Sequence, residues 1–208
     1  MNGSDPETRA VTAAWIPLCS YARSRRIDQE SQAAGLEETW LMGQAALSSA
    51  HAIRTDPDLL NAGTMHILCG PGNNGGDGLA LAYMLIGMRH IIASIPALRI
   101  YQTGEARSSA AQFYAGLLRE IAQSPIAVDV CLLPSSSFHF SAINNGDVIV
   151  DALLGTGQDR APAGEIARLL AHVALARIRI ACALLALDVP TGLREDRDTR
   201  FLNARELR

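Results

Sequence analysis

Three apolar runs in this 208-residue chain end alike. T-M-H-I-L-C at 64–69 opens onto G-P-G-N-N-G-G-D-G-L, D-V-I-V-D-A-L-L at 147–154 onto G-T-G, and the run at 180–189 onto P-T-G-L. Short apolar runs closed by glycine read as buried parallel strands. Helical patterns of about ten to fifteen residues lie between strands, which makes βαβ units and predicts one parallel sheet with helices on both faces. Ligands in such sheets bind outside the carboxyl ends of the strands. Three polar loops therefore nominate one composite site, on a chain of a length that suits one α/β domain.

Residues 1–27 have weak periodicity and carry Arg23, Arg25 and Arg26, so they read as a solvated N-terminal extension. From Asp28 the pattern turns helical, and Leu41, Met42, Ala45, Ala46 and Ser49 supply a small apolar face. After the strand at 64–69, a glycine loop is expected over 69–79 and a helix over 79–92. A strand at 97–102, a helix at 106–123, a less distinct strand at 126–133, the strand at 147–154, a helix at 163–177 and the strand at 180–189 complete the alternation. The domain is expected over 28–193. Nine of the fifteen residues in 194–208 are charged, which makes that segment a tail rather than a buried strand.

Composition removes several function classes. All 18 basic residues are arginine, so there is no lysine for a Schiff base, a general base or a nucleoside-triphosphate loop. A net charge of −3 argues against a nucleic-acid partner. Cys19, Cys69, Cys131 and Cys182 are far apart and mostly in apolar runs, as free thiols of a reducing compartment would be. The acidic N-terminus does not resemble a signal peptide, and no apolar run reaches the roughly 20 residues of a membrane span. These readings place the protein in the cytoplasm, with no membrane partner.

Gly70, Gly72 and Gly75 satisfy G-x-G-x-x-G between a strand and a helix, the context in which backbone N–H groups approach an anion. The usual dinucleotide fingerprint also places an acid roughly 20 residues on, yet no aspartate or glutamate occurs over 79–104. A turn that only reverses the chain needs one or two glycines, whereas this loop adds Asn73, Asn74 and Asp77. At the next two strand ends stand Asp151, and Asp188 with Thr191 in a turn stiffened by Pro190. A single aspartate at a strand end is as often a cap as a site. Several oxygen donors on different loops, without soft ligands, suit a hard cation. His51, His66, His90, His139 and His172 have no helix-spaced pairing and read as core or surface residues, and the serines at 135–137 lack G-x-S-x-G.

G-P-G-N-N-G-G-D-G-L, D-V-I-V-D-A-L-L-G-T-G and A-L-D-V-P-T-G-L, in this order, resemble the YjeF N-terminal domain family of NAD(P)H-hydrate epimerases. R-R-I-D-Q-E-S-Q-A-A-G-L and L-M-G-Q-A-A are similar to that family's opening helices, so the resemblance covers roughly residues 20 to 195. It implies a Rossmann-like three-layer sandwich with a mostly parallel sheet, left incomplete at the C-terminal end because the family's further strand has no counterpart. The implied reaction interconverts the R and S epimers of hydrated NADH and NADPH, one of which an ADP- or ATP-dependent dehydratase then returns to the cofactor pool. By the same resemblance, Asn73, Asn74, Gly75, Gly76 and Asp77, with Gly155, Thr156, Gly157, Gln158, Asp159, Arg160 and Ala161, bind the substrate. A potassium ion matches Asn74, Asp151 and Thr191, and Asp188 matches the substrate-binding aspartate. Asp188 is the first candidate for acid–base work and Asp77 the second. A homodimer through the opening helices is implied as well.

The chain departs from the family at Tyr83, where an arginine is usual, at Gly43 for a glutamate, at Ala161 for a proline and at Thr191 for a serine. Two other readings follow from the residues: a catalytically degenerate nucleotide- or protein-binding module, and a magnesium phosphohydrolase, for which a nucleophile is missing.

Overall fold

Side-chain alternation along β1 (Thr64–Cys69) divides the core of the protein in two. Met65, Ile67 and Cys69 face one layer of helices while His66 and Leu68 face the other, all fully buried. The structure, a computed structural model, describes residues 20–88, 95–124 and 129–193. The helices are α1 (Tyr21–Ala33), α2 (Glu38–Thr55), α3 (Pro57–Leu60), α4 (Asn73–Met88), α5 (Ser109–Gln123) and α6 (Gly164–Arg179). With β2 (Ala97–Gln102), β3 (Val130–Pro134), β4 (Val148–Ala152) and β5 (Ala183–Ala186), β1 makes a sheet of five strands among the described residues, in the order β3-β2-β1-β4-β5. Every pairing is parallel, with Cys69 opposite Gln102 and Ala152. α2, α4 and α5 cover one face. α6 and the short 3-10 turns around Phe138 cover the other.

This is the expected α/β architecture of three layers, and β1 and β2 have the bounds that their apolar runs predict. Three elements differ most. α1 starts at Tyr21 rather than Asp28, with the Ser20 side chain accepting from Arg23 N at 3.3 Å as its cap. No residue of α1 is buried, so no apolar stripe announces it. α4 begins at Asn73, and the stretch expected as a loop to residue 79 is its first turns: Gly76 N already donates to Gly72 O at 3.0 Å.

The third difference is β5, which occupies four residues where 180–189 was expected. α6 runs on to Arg179, and the strand ends before Asp188, whose φ of 61° turns the chain out of the sheet. The expected helix end at 89–92, His90, the strand start at 126–128, Cys19 and the charged segment 194–208 lie outside the described residues. Cys69, Cys131 and Cys182 are free thiols, and burial pushes the Cys69 thiol up. Among the described residues no helix is long and apolar enough to cross a membrane.

Candidate active site

Gly75, Gly76 and Gly78 of α4 owe their identity to packing, since none of them has positive φ. A Cβ on Gly75 would enter the backbone of Gly70, and one on Gly76 would lie 2.6 Å from Met42 Cε of α2 and 2.8 Å from Ala111 Cβ of α5. A Cβ on Gly78 would lie 2.7 Å from Ala152 Cβ of β4. Glycine disfavours a helix by about 1 kcal/mol per residue, so the close fit of α2, α5 and the sheet is what makes this helix form. The outcome is a helix N-terminus set at the carboxyl ends of β1 and β4.

That N-terminus opens onto a cavity of about 970 Å³. Its floor and one wall come from Pro71, Gly72, Asn73, Asn74 and Asp77, from the run 153–163 after β4, and from Leu187 and Asp188 after β5. α1 supplies the opposite wall with Ser24, Arg25, Asp28 and Gln32. It is tied there by Arg25 Nη1, which donates to Thr156 O at 2.7 Å. Of the residues expected to bind substrate, Asn73, Asn74, Asp77, Asp188 and all seven of 155–161 line this cavity. Gly75 and Gly76 are outside the lining: their missing side chains face the turn at Gly70 and the α2–α5 contact, and Gly76 N donates to Gly72 O.

Asn74 is the least satisfied group in the site. It is 8% exposed, it lines the cavity, and neither Oδ1 nor Nδ2 has a hydrogen-bond partner. A buried amide left unpaired costs several kcal/mol unless a ligand completes it. Gly155 lies against it, since a Cβ there would come within 3.2 Å of Asn74 Cβ and would also strike Asp188 Oδ2.

Asp151 and Thr191 form a second group, joined to the cavity through Leu153 and Leu154. Asp151, 5% exposed, accepts from Thr191 Oγ1 at 2.7 Å, Thr191 N at 2.8 Å and Leu153 N at 3.2 Å. Leu154 N donates to Thr191 Oγ1 at 3.0 Å. Among the described residues no cation pairs with this buried carboxylate, and no group of three or more His, Cys, Asp or Glu side chains is arranged to hold a metal. The 155–161 loop is tied to the P-T-G-L turn by Gln158, whose Oε1 accepts from Gly192 N at 2.7 Å.

Carboxylates converge across the cavity. Burial, then the charges of Asp188, Asp28 and Glu38, push Asp77 up to about 7. Asp28 is raised by burial and then by Asp188. Glu38 Oε1 accepts from Asn73 Nδ2 at 3.0 Å. Arg25, Asp28, Glu38 and Arg107 were not among the expected site residues. Arg25 and Asp28, three apart, share a helix face, a signal hidden by reading 1–27 as an extension.

Residues 38–205 match the family described as YjeF-related protein N-terminus. Over 162 residues the chain is 32% identical to the NAD(P)H-hydrate epimerase of Limosilactobacillus fermentum, covering 78% of this chain and 68% of that protein. The NAD(P)H-hydrate epimerase of Rhodopirellula baltica is 32% identical over 188 residues, covering 87% of this chain and 68% of that one. The bifunctional NAD(P)H-hydrate repair enzyme Nnr of Thermanaerovibrio acidaminovorans is 31% identical over 183 residues; the match spans 85% of this chain but 32% of that enzyme. In fold, the chain is similar to the crystal structure of yeast ynu0, with a TM-score of 0.66 and 22% identity, over 85% of this chain and 72% of that one. On the match to residues 38–205 and these relatives, the chain belongs to the YjeF-related protein N-terminus family.

Proposed function

We propose that the chain is an isomerase that interconverts the R and S epimers of hydrated NADH and NADPH, a step of nicotinamide cofactor repair. The observation that carries this reading is Asn74, a buried amide with both ends unpartnered, in a cavity that Asp77 and Asp188 also line. Epimerases among its relatives support the same activity.

The hydrated ring carbon is a hemiaminal. Protonated Asp77, held near neutrality by burial and by Asp188, Asp28 and Glu38, gives its proton to the hydroxyl. The carbon–oxygen bond breaks, water leaves, and the lone pair of the ring nitrogen completes a planar cation. Water then adds to the opposite face and returns a proton to Asp77. The Asp188 carboxylate stands beside the cation and offsets its charge. Asn73, Asn74 and the 155–161 loop hold the dinucleotide, with Asp188 also contacting it.

Asn74, Asp151 and Thr191 fit a potassium ion: an orphaned amide oxygen, a buried carboxylate without a cation and a hydroxyl are hard oxygen donors. When bound, the ion would supply positive charge near the substrate's pyrophosphate. Gly43 and Tyr83, two departures from the family, stand on either side of Tyr114 and away from the cavity. A Cβ on Gly43 would lie 2.7 Å from Tyr114 Oη, and the Tyr83 and Tyr114 rings are 5.9 Å apart. The two positions thus meet at one contact, outside the cavity lining.

An ADP- or ATP-dependent dehydratase would consume one epimer, in line with the word bifunctional in the repair-enzyme relatives. Exposed Ile27, Trp40 and Leu47 on the opening helices, with Leu36 in the connection between them, support a homodimer. Three free thiols support a reducing, cytoplasmic setting. The epimerase domain, expected over 28–193, reaches back to Tyr21 in this reading, because α1 supplies Ser24 and Arg25 to the cavity wall. The test is R-to-S conversion coupled to a dehydratase specific for one epimer; no acceleration over the spontaneous rate would sink the proposal.

A further inference from the structure

The corner of the cavity at the ends of β1 and β2 is built differently from the carboxylate side. The loop after β2 is pinned to β1: Thr103 N donates to Cys69 O at 3.0 Å and Arg107 N to Pro71 O at 3.0 Å. Gln112 Nε2 holds Ala106 O at 3.1 Å. Arg107 is therefore held by backbone bonds beside Pro71 and Gly72 and lines the cavity with them. Its guanidinium is exposed and, among the described residues, makes no salt bridge or hydrogen bond.

Two helix N-termini meet there. α4 starts at Asn73, and Arg107 directly precedes Ser108, the N-cap of α5. Each helix end carries about half a positive charge. The first turn of α4 also carries Asn74, whose buried, unpartnered amide lines the same cavity on the side of Gly155. In parallel sheets of this topology, the loop after the second strand meets the adenosine ribose: an acid there takes the 2′-hydroxyl, and an arginine accommodates a 2′-phosphate. Here that loop presents Arg107 to the cavity, while its one acid, Glu105, is exposed and outside the lining.

We propose that Arg107, between the N-termini of α4 and α5, is the specificity-determining residue that holds the 2′-phosphate of an NADPH-type dinucleotide. This rests on the dinucleotide reading of the cavity and names which substrate the site favours. The guanidinium supplies two charge-assisted hydrogen bonds to phosphate oxygens, and the helix ends add to the field.

The test uses the full chain and two ligand pairs that differ only in the 2′-phosphate: NADP⁺ against NAD⁺, and 2′-phospho-ADP-ribose against ADP-ribose, titrated by calorimetry. The wild type should favour the phosphorylated member of each pair by on the order of 10- to 100-fold. Arg107→Ala should bring the members of a pair to within about threefold, by weakening the phosphorylated ligand alone, and Arg107→Lys should recover part of the difference. Melting temperatures of the variants should match the parent, because Arg107 is exposed. Equal affinity of the wild type for both members, or a preference that Arg107→Ala leaves intact, overturns the assignment and leaves the dinucleotide reading standing. If the wild type binds none of the four ligands, both readings fall.

Discussion

Asp188 accepts the Thr156 amide on Oδ2 at 2.6 Å, from a backbone held at φ 61°. The bond joins the end of β5 to the loop after β4 and leaves Oδ1 without a protein donor among the described residues. A positive φ is disfavoured for most side chains, but asparagine tolerates it as aspartate does. Asp188→Asn should therefore keep the fold and most dinucleotide affinity while losing on the order of 10² to 10⁴ in epimerisation rate. A rate like the parent's would remove Asp188 from the chemistry.

Asp77 should set the pH behaviour of the protein. Its folded pKa of about 7 lies above its ordinary value, so its contribution to stability is fully present in acid. That contribution is lost as pH rises from about 4 to about 7, because the unfolded carboxyl ionises first. Asp77→Asn should melt above the parent at pH 8, and the gain should vanish near pH 4. The rate profile of the parent should break near neutrality, and the variant's should not. Parallel melting curves at every pH would contradict the assignment.

The ion site can be probed through stability alone. Asn74→Ala should abolish any rise in melting temperature in potassium over lithium, since a bound ion stabilises only through its few oxygens. Asp151→Asn should do the same, at some cost in stability, because it alters a buried group that accepts three hydrogen bonds. If both variants respond to potassium as the parent does, the ion binds elsewhere or not at all.

Two glycine substitutions should separate packing from binding. Gly76→Ala places a methyl against Met42 and Ala111 and should cost about 1–3 kcal/mol of stability, with dinucleotide affinity retained in the folded fraction. Gly155→Ala presses on Asp188 and Asn74 and should lose affinity and rate instead. Denaturant melts and ADP-ribose titrations of both variants check this. The reverse pattern would move the ligand to Gly76.

Much of the architecture is legible in the chain because β1 and β2 are apolar runs cut off by polar, glycine-bearing loops, and burial on both faces leaves no other reading. The strand-end residues Asn74, Asp77, Asp151, Asp188 and Thr191 are legible for the same reason, since strand order carries them to one edge. α1 escapes a sequence reading because it buries nothing, and its Arg25 and Asp28 matter only through what faces them across the cavity. The start of α4 escapes it because Gly75, Gly76 and Gly78 are poor helix formers until α2, α5 and β4 close on them. By itself, then, the sequence determined β1 and β2 and which polar side chains follow the strands. Which carboxylates meet, and that Asp77 is pushed to about 7, was decided by tertiary structure, because burial and the distance between charges do not exist until the chain has packed.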